Sequence, residues 1–414
     1  MHVTIGIDWA TTKHDLCVLG EGGRLLGEAC FDNTPKGLEK LIAWILAKAK
    51  GPPAECPVAI ETPHGPLVEL LLERGFPVYL LNPKQLDRFR DRFTVSGAKD
   101  DRRDALVLAD SLRTDRRAFR LLAIEDPQII ELRELSRMGH ALTEQKVAVE
   151  NQLRQCLGRF YPQILNLCGL LDRTWVLELL AKAPTPELAR KLRPATIKRI
   201  VSATKARKLT PTQIAKILRA PGYEVSAGTT QGLEHRVRVL VDQLKLLVGQ
   251  LRENDQHLKR LLQELDAPET GEEPESERSG KQRDVSILLS LPGVGRIVVA
   301  TLLAEAAELI RSRDIRALRL LTGVAPVTRR SGKRRPTVSQ RHACNVRLRK
   351  ALYHWARMAA RIDPIWKTRY QAMRAKGHRH GRACRGIGDR LLRIACAMLR
   401  DGTTYEPGRI AQAT

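Results

Sequence analysis

Ten positions between Leu233 and Leu265 recur at alternating spacings of four and three: Leu233, Val237, Leu240, Leu244, Leu247, Leu251, Asn254, Leu258, Leu261 and Leu265. Only a long helix keeps such positions on one stripe, and a period of three and a half residues makes that stripe a coiled-coil seam of more than four heptads. Asn254 is its one polar member, a residue type that fixes register at some cost in stability. A second long helix, Ile129–Phe160, ends before Pro162 and offers a partner for an antiparallel hairpin. The same stripe on another subunit is the alternative. The hairpin is preferred, accompanied by self-association into a dimer or tetramer through the helical region.

The residues before this region follow a different period. Val3–Asp8, His14–Leu19 and Arg24–Phe31 read as strands, the last two joined by the turn Gly20-Glu-Gly-Gly23. Gly37–Lys48 has helical periodicity, Pro57–Glu61 is a strand, Pro66–Arg74 a helix, Pro77–Leu81 a strand, and Pro83–Arg92 opens a helix with proline in its first turn. Three strands followed by helix, strand, helix, strand, helix is the order of a ribonuclease-H-like sheet. The expected class is multidomain α/β plus α. Residues 1–125 form the sheet domain, 126–266 a helical coiled-coil insertion, 267–283 a linker rich in Glu, Pro, Ser and Gly, and 284–414 a helical C-terminal domain.

Lys and Arg outnumber Asp and Glu by 71 to 46, a formal charge of +25 with a pI near 10.2. A polyanionic partner is the first expectation from such an excess. Aromatic residues make up 4% of the chain, too few for a single-strand binder built on stacking. No apolar run approaches a membrane span, so a soluble intracellular protein is expected. The eight cysteines include no C-x-x-C pair, which favours reduced thiols over a disulfide frame. His378, His380 and Cys384 match no common zinc spacing.

Four acids carry the chemistry. Asp8 ends the first strand, in Ile5-Gly-Ile-Asp8-Trp-Ala-Thr-Thr, and Glu61 ends the strand that begins at Pro57. Asp101 and Asp104, in Lys99-Asp-Asp-Arg-Arg-Asp104, share one helix face at a spacing of three. Carboxylates crowded at a sheet end repel one another, and a bound cation resolves the repulsion. Oxygen ligands on a rigid frame suit magnesium, and two ions can serve phosphodiester chemistry. Each acid taken singly also reads as ordinary surface, and Asp100 and Asp110 are nearby competitors.

In the C-terminal region, Leu289-Ser-Leu-Pro-Gly293-Val-Gly295-Arg296 is a short turn between helices whose backbone N–H groups suit a phosphate; a plain turn fits nearly as well. Between Arg311 and Lys350 there are thirteen Lys or Arg and one acid, Asp314.

At these residues the chain resembles the DEDD-type insertion-sequence transposases (the IS-one-ten family, RNA-guided serine recombinases) over nearly its full length. Gly6-Ile-Asp8, the Glu61 strand and Lys99–Ala109 resemble that family's N-terminal RuvC-like domain. Leu291-Pro-Gly-Val-Gly295, Gly323-Val-Ala-Pro326 and Arg330-Ser-Gly-Lys333 resemble its C-terminal transposase domain. The resemblance implies Asp8, Glu61, Asp101 and Asp104 as magnesium ligands and Ser331 as the nucleophile. DNA strands would then be cleaved and rejoined through a phosphoserine, at a site formed by domain docking between subunits. It also implies double-stranded DNA (element ends and target) and a structured guide RNA as partners, at the nucleoid of a bacterial or archaeal cytoplasm. Lys99, Gly293, Gly295, Arg329, Arg330, Lys333, Arg334, Arg335, Asn345 and Arg349 are the expected nucleic-acid contacts. By itself, Ser331-Gly in a basic loop reads as a flexible turn. One departure stands out: His342-Ala-Cys-Asn345 replaces the family's usual Gly-Asn, so the turn before Asn345 is expected to differ in shape.

Three rivals share some of these features. A junction-resolving nuclease would use the same acids with water in place of Ser331. An actin-like kinase shares the Gly6-Ile-Asp8 loop but needs a second phosphate loop and an adenosine motif that the chain lacks. A silent DNA-binding relic would not be expected to keep all five catalytic positions.

Overall fold

The computed structural model describes residues 3–81, 83–90, 101–122, 126–167, 169–203, 209–267, 284–329 and 337–408. The chain divides into two compact units, Met1–Asp126 and Pro127–Thr414.

The first unit is built on β1 (Thr4–Trp9), β2 (Lys13–Leu19), β3 (Leu25–Asp32), α1 (Pro35–Ala49), β4 (Val58–Ile60), α2 (Pro66–Glu73), β5 (Val78–Leu80), α3 (Pro83–Arg90), α4 (Asp101–Thr114) and β6 (Arg120–Leu121). The sheet order is β3-β2-β1-β4-β5-β6. β1, β2 and β3 pair antiparallel, β4 runs parallel to β1 and to β5, and β6 returns antiparallel. This mixed sheet is the arrangement expected of a ribonuclease-H-like domain. Alternation along β1 sends its residues to two covered faces. Ile5 and Ile7 pack with Leu38, Leu41 and Ile45 of α1 and Leu67 and Leu71 of α2. Gly6 and Asp8 point to the opposite face, where α4 lies. That helix comes so close that a Cβ on Gly6 would stand 1.9 Å from the Ala105 carbonyl oxygen and 2.6 Å from the Ala109 nitrogen.

The second unit holds two long helices, α5 (Pro127–Phe160) and, after α6 (Thr174–Lys182), α7 (Pro186–Arg190), α8 (Pro194–Ala203) and α9 (Pro211–Leu218), the forty-residue α10 (Ala227–Asp266). The end of α5 (Leu153, Leu157, Phe160) shares a core with the start of α10 (Leu233, Val237, Leu240), closed by α6, α8 and α9. The start of α5 (Leu132) shares another with the end of α10 (Leu258, Leu261, Leu262). The two helices therefore run antiparallel within one chain, which places the α10 stripe against α5 and not first against another subunit. Midway, buried Asn254 faces Gly139, where an added Cβ would lie 2.6 Å from the Asn254 Nδ2.

The remaining elements are α11 (Asp284–Ser290), α12 (Arg296–Arg311), α13 (Ile315–Leu321), the antiparallel pair β7 (Val327–Arg329) and β8 (Thr337–Ser339), α14 (Val346–Ile362), α15 (Pro364–Ala375) and α16 (His380–Asp401). Their core, centred on Trp355, Trp366, Ile387 and Leu391, is continuous with the Leu132–Leu258 end of the helix pair. The seven described cysteines are all unpaired. No described helix is long and apolar enough to cross a membrane. The expected linker at 267–283 lies, apart from Ala267, outside the described residues.

Candidate functional site

The sheet topology brings the acids to one end of β1. Ile7 pairs with Ile60 in the parallel ladder, so Asp8 and Glu61 follow in neighbouring positions at the carboxyl ends of adjacent strands. Ala59, two residues before Glu61, packs with Val107 and Leu108 of α4, placing this edge on the α4 face. α4 runs back along β1 from Asp101, and its first turn carries exposed Asp101 and buried Asp104. Asp110 lies six residues further on, about 9 Å along a helix axis. It is held by Arg113 at 3.0 Å, and its charge acts on Cys17, behind the acids. Burial, aided by Glu28 and Asp110, pushes the Cys17 thiol up to about 12. The other competitor, Asp100, lies outside the described residues, as does Lys99.

Two residues absent from the expected set join this cluster. Asp15 is the cross-strand partner of Asp8 and so shares its face; it is buried, with Lys13 Nζ at 3.9 Å. Arg90, the last residue of α3, grips Asp104: Nε donates to Oδ1 at 2.5 Å and Nη2 to Oδ2 at 2.6 Å, while Nη1 donates to Asp87 Oδ1 at 2.6 Å. The Asp104 hydrogen bonds raise the Arg90 pKa against the opposing effect of burial, with the charges of Asp104, Asp87 and Glu61 adding to them.

The donor set, carboxylate oxygens at the end of a rigid sheet and in the first turn of a helix, suits a hard divalent cation. As the side chains stand, however, no three His, Cys, Asp or Glu among the described residues converge closely enough to hold one ion. Both oxygens of Asp104 are occupied by a guanidinium.

In the second unit, Ser331 and the expected contacts Arg330, Lys333, Arg334 and Arg335 lie outside the described residues, between β7 and β8; the Arg329 backbone pairs with Thr337. Gly293 has φ +73°, and a Cβ there would sit 2.3 Å from the Ala359 nitrogen of α14; Trp355 Nε1 donates to the adjacent Pro292 carbonyl at 3.0 Å. The turn is thus seated on a helix backbone, which accounts for Gly293 without a ligand. Gly293→Ala is expected to lower stability by about 2–3 kcal/mol through clash and left-handed strain, measurable by denaturant unfolding; a loss under about 0.5 kcal/mol would contradict this seating. Gly295, by contrast, faces open space at the α12 N-terminus. Asn345 caps α14, its Oδ1 accepting from the Arg347 and Leu348 amides while Nδ2 donates to Glu305 at 2.8 Å. Arg349 Nη1 points to Cys344 Sγ at 3.7 Å.

The DEDD transposase model of IS110 elements matches residues 5–162, and the model described as "Transposase IS116/IS110/IS902 family" matches residues 285–371. The mini-circle putative transposase for IS117 of Streptomyces coelicolor is 32% identical over 399 residues, 94% of this chain and 92% of that protein. The chain belongs to the IS110 family of transposases. A putative transposase of Sinorhizobium fredii is 46% identical over 208 residues, a match spanning 50% of this chain and 58% of the relative's length. An uncharacterized 42 kDa protein of insertion element IS900 from Mycobacterium paratuberculosis is 27% identical across 99% of both chains. The first family model spans all four expected acids. The second spans Ser331 and every expected contact of the second unit.

Proposed function

We propose that this IS110-family protein cleaves and rejoins DNA strands at the ends of an insertion sequence and at its target, through a covalent phosphoserine on Ser331. The observation that supports the reading is the register that sets Asp8 and Glu61 side by side on β1 and after β4, with Asp104 in the first turn of α4, the helix packed on β1. In this reading the Ser331 hydroxyl loses its proton as Oγ bonds to the scissile phosphorus. The phosphorus–oxygen bond to the departing strand breaks, and that strand leaves as a hydroxyl after taking up a proton. Attack by a hydroxyl of a second strand reverses the step and conserves the ester. Asp8, Glu61, Asp101 and Asp104 would hold magnesium, two ions in the fullest form, which when bound neutralises charge on the phosphate and the attacking oxygen. The +25 charge supports a nucleic-acid partner, DNA together with an element-encoded guide RNA. The helical region 126–266 would assemble the subunits into a dimer or tetramer, between the acid domain (1–125) and the C-terminal domain (284–414).

The test is cleavage of element-end DNA in magnesium, with and without the flanking noncoding transcript, by the wild type, Ser331→Ala and Asp8→Ala. Each substitution is expected to reduce strand transfer by at least about 10³-fold, and the wild type should carry covalently attached DNA. Cutting that survives in Ser331→Ala, with no adduct in the wild type, would favour the water-using junction nuclease.

A further inference from the structure

We infer that Arg90 is a positioning residue that competes with a divalent cation for Asp104. The inference rests on the proposed metal role of the acids and deepens it. Asp104 is almost wholly enclosed, with 2% of its side chain exposed, and the two short hydrogen bonds from Arg90 engage both of its oxygens. The fork takes one lone pair of each oxygen, and because Asp104 is enclosed the guanidinium charge stands on the side from which a cation would approach it. Glu61 also lies within electrostatic reach of Arg90, so the same positive charge relieves the repulsion that a cation would otherwise relieve. Asp87, one turn back on α3, gives the guanidinium a second anchor on its own helix. The Arg90 side chain is 22% exposed while Asp104 is enclosed, so the guanidinium can swing out to solvent while the first turn of α4 stays in place.

Metal binding in this arrangement requires Arg90 to release Asp104 first. The apparent affinity is then the affinity of the released form reduced by the fraction of molecules in that form. Removing the competitor should raise affinity, whereas removing a merely structural ion pair should lower stability and leave metal affinity unchanged or weaker.

The experiment is calorimetric titration of Mn²⁺, with the paramagnetic signal of the bound ion as a second readout, into the full chain without nucleic acid. Arg90→Gln is expected to bind Mn²⁺ about tenfold more tightly than the wild type. Arg90→Lys, which keeps the charge but not the fork, should fall between them. Adding Asp104→Asn to Arg90→Gln should abolish the gain. Equal or weaker Mn²⁺ binding by Arg90→Gln would overturn the inference while leaving the metal role of the acids standing. Absence of Mn²⁺ binding in both wild type and Arg90→Gln would overturn that role and the inference with it. Should Arg90→Gln fail to fold, Asp87→Asn removes only the second anchor and is expected to tighten Mn²⁺ binding about threefold; unchanged affinity there overturns the inference.

Discussion

Gly6→Ala is expected to destabilise the first unit by about 3 kcal/mol or more, at the upper end of what overpacking costs. The added Cβ would lie 1.9 Å from one backbone atom of α4 and 2.6 Å from another, and no rotamer change can move a backbone. Relief requires α4 to slide or lift from β1. That helix carries Asp101 and Asp104, while β1 carries Asp8, so the same movement pulls the acid cluster apart. The substitution should therefore lower the melting temperature and transposition activity together, with a shift of more than about 10 °C for a unit of this size. Gly27→Ala in β3 is the control. There the new atom would meet only the ends of the Lys48 and Trp44 side chains at 3.1 Å, and a cost within about 1 kcal/mol is expected. A Gly6→Ala protein that melts within a degree of the wild type would contradict the close packing of α4 on β1.

Glu305→Ala is the second large effect, in the other unit. Glu305 sits in α12 beside the kink at Ala306, with 5% of its side chain exposed. It accepts from Arg137 Nε of α5 at 3.0 Å and from Asn345 Nδ2 at 2.8 Å. One carboxylate thus ties together a long helix, a kinked helix and the cap of α14. Removing one partner of a buried pair costs about 3–5 kcal/mol; Arg137 is a third exposed and can rehydrate, so about 2–3 kcal/mol is expected. Burial opposes the Glu305 charge, yet the hydrogen bonds from Arg137 and Asn345, with the charges of Arg137 and Arg347, hold its pKa below the usual glutamate value. A depressed carboxylate contributes stability that is complete above its unfolded pKa, about 4.3, and is lost as pH falls through the lower folded value. Glu305→Gln should therefore flatten the loss of stability below about pH 4 relative to wild type. Identical acid limbs in the two proteins would show that Glu305 does not carry this linkage.

Much of the first unit was legible in the chain. Its strands and helices follow from alternation, from Gly20–Gly23 and from prolines at helix starts, because these signals act within a few residues. Asp8 and Glu61 stood out because a carboxylate closing an apolar strand is conspicuous, and the parallel ladder sets them side by side. Asp15 was not singled out, although the short loop after Trp9 sets the register that pairs it with Asp8. That signal is present but needs the pairing to be assumed first. Arg90 had no local mark: it stands fourteen residues from Asp104 in a stretch dense with arginine. Glu305 was visible only as an acid in the apolar run from Ile297 to Ile310, without any indication of which cations it meets.

The amino-acid order alone determined the period of each segment, the +25 charge and the positions of the carboxylates that close apolar strands. Those properties depend on neighbours in the chain and on total charge. Only the tertiary structure decided that the stripe of α10 closes on α5 within one chain, that α4 lies against Gly6, and that Asp104 is gripped by Arg90. Such contacts join residues brought together by folding, and their strength depends on burial, which no local pattern reports.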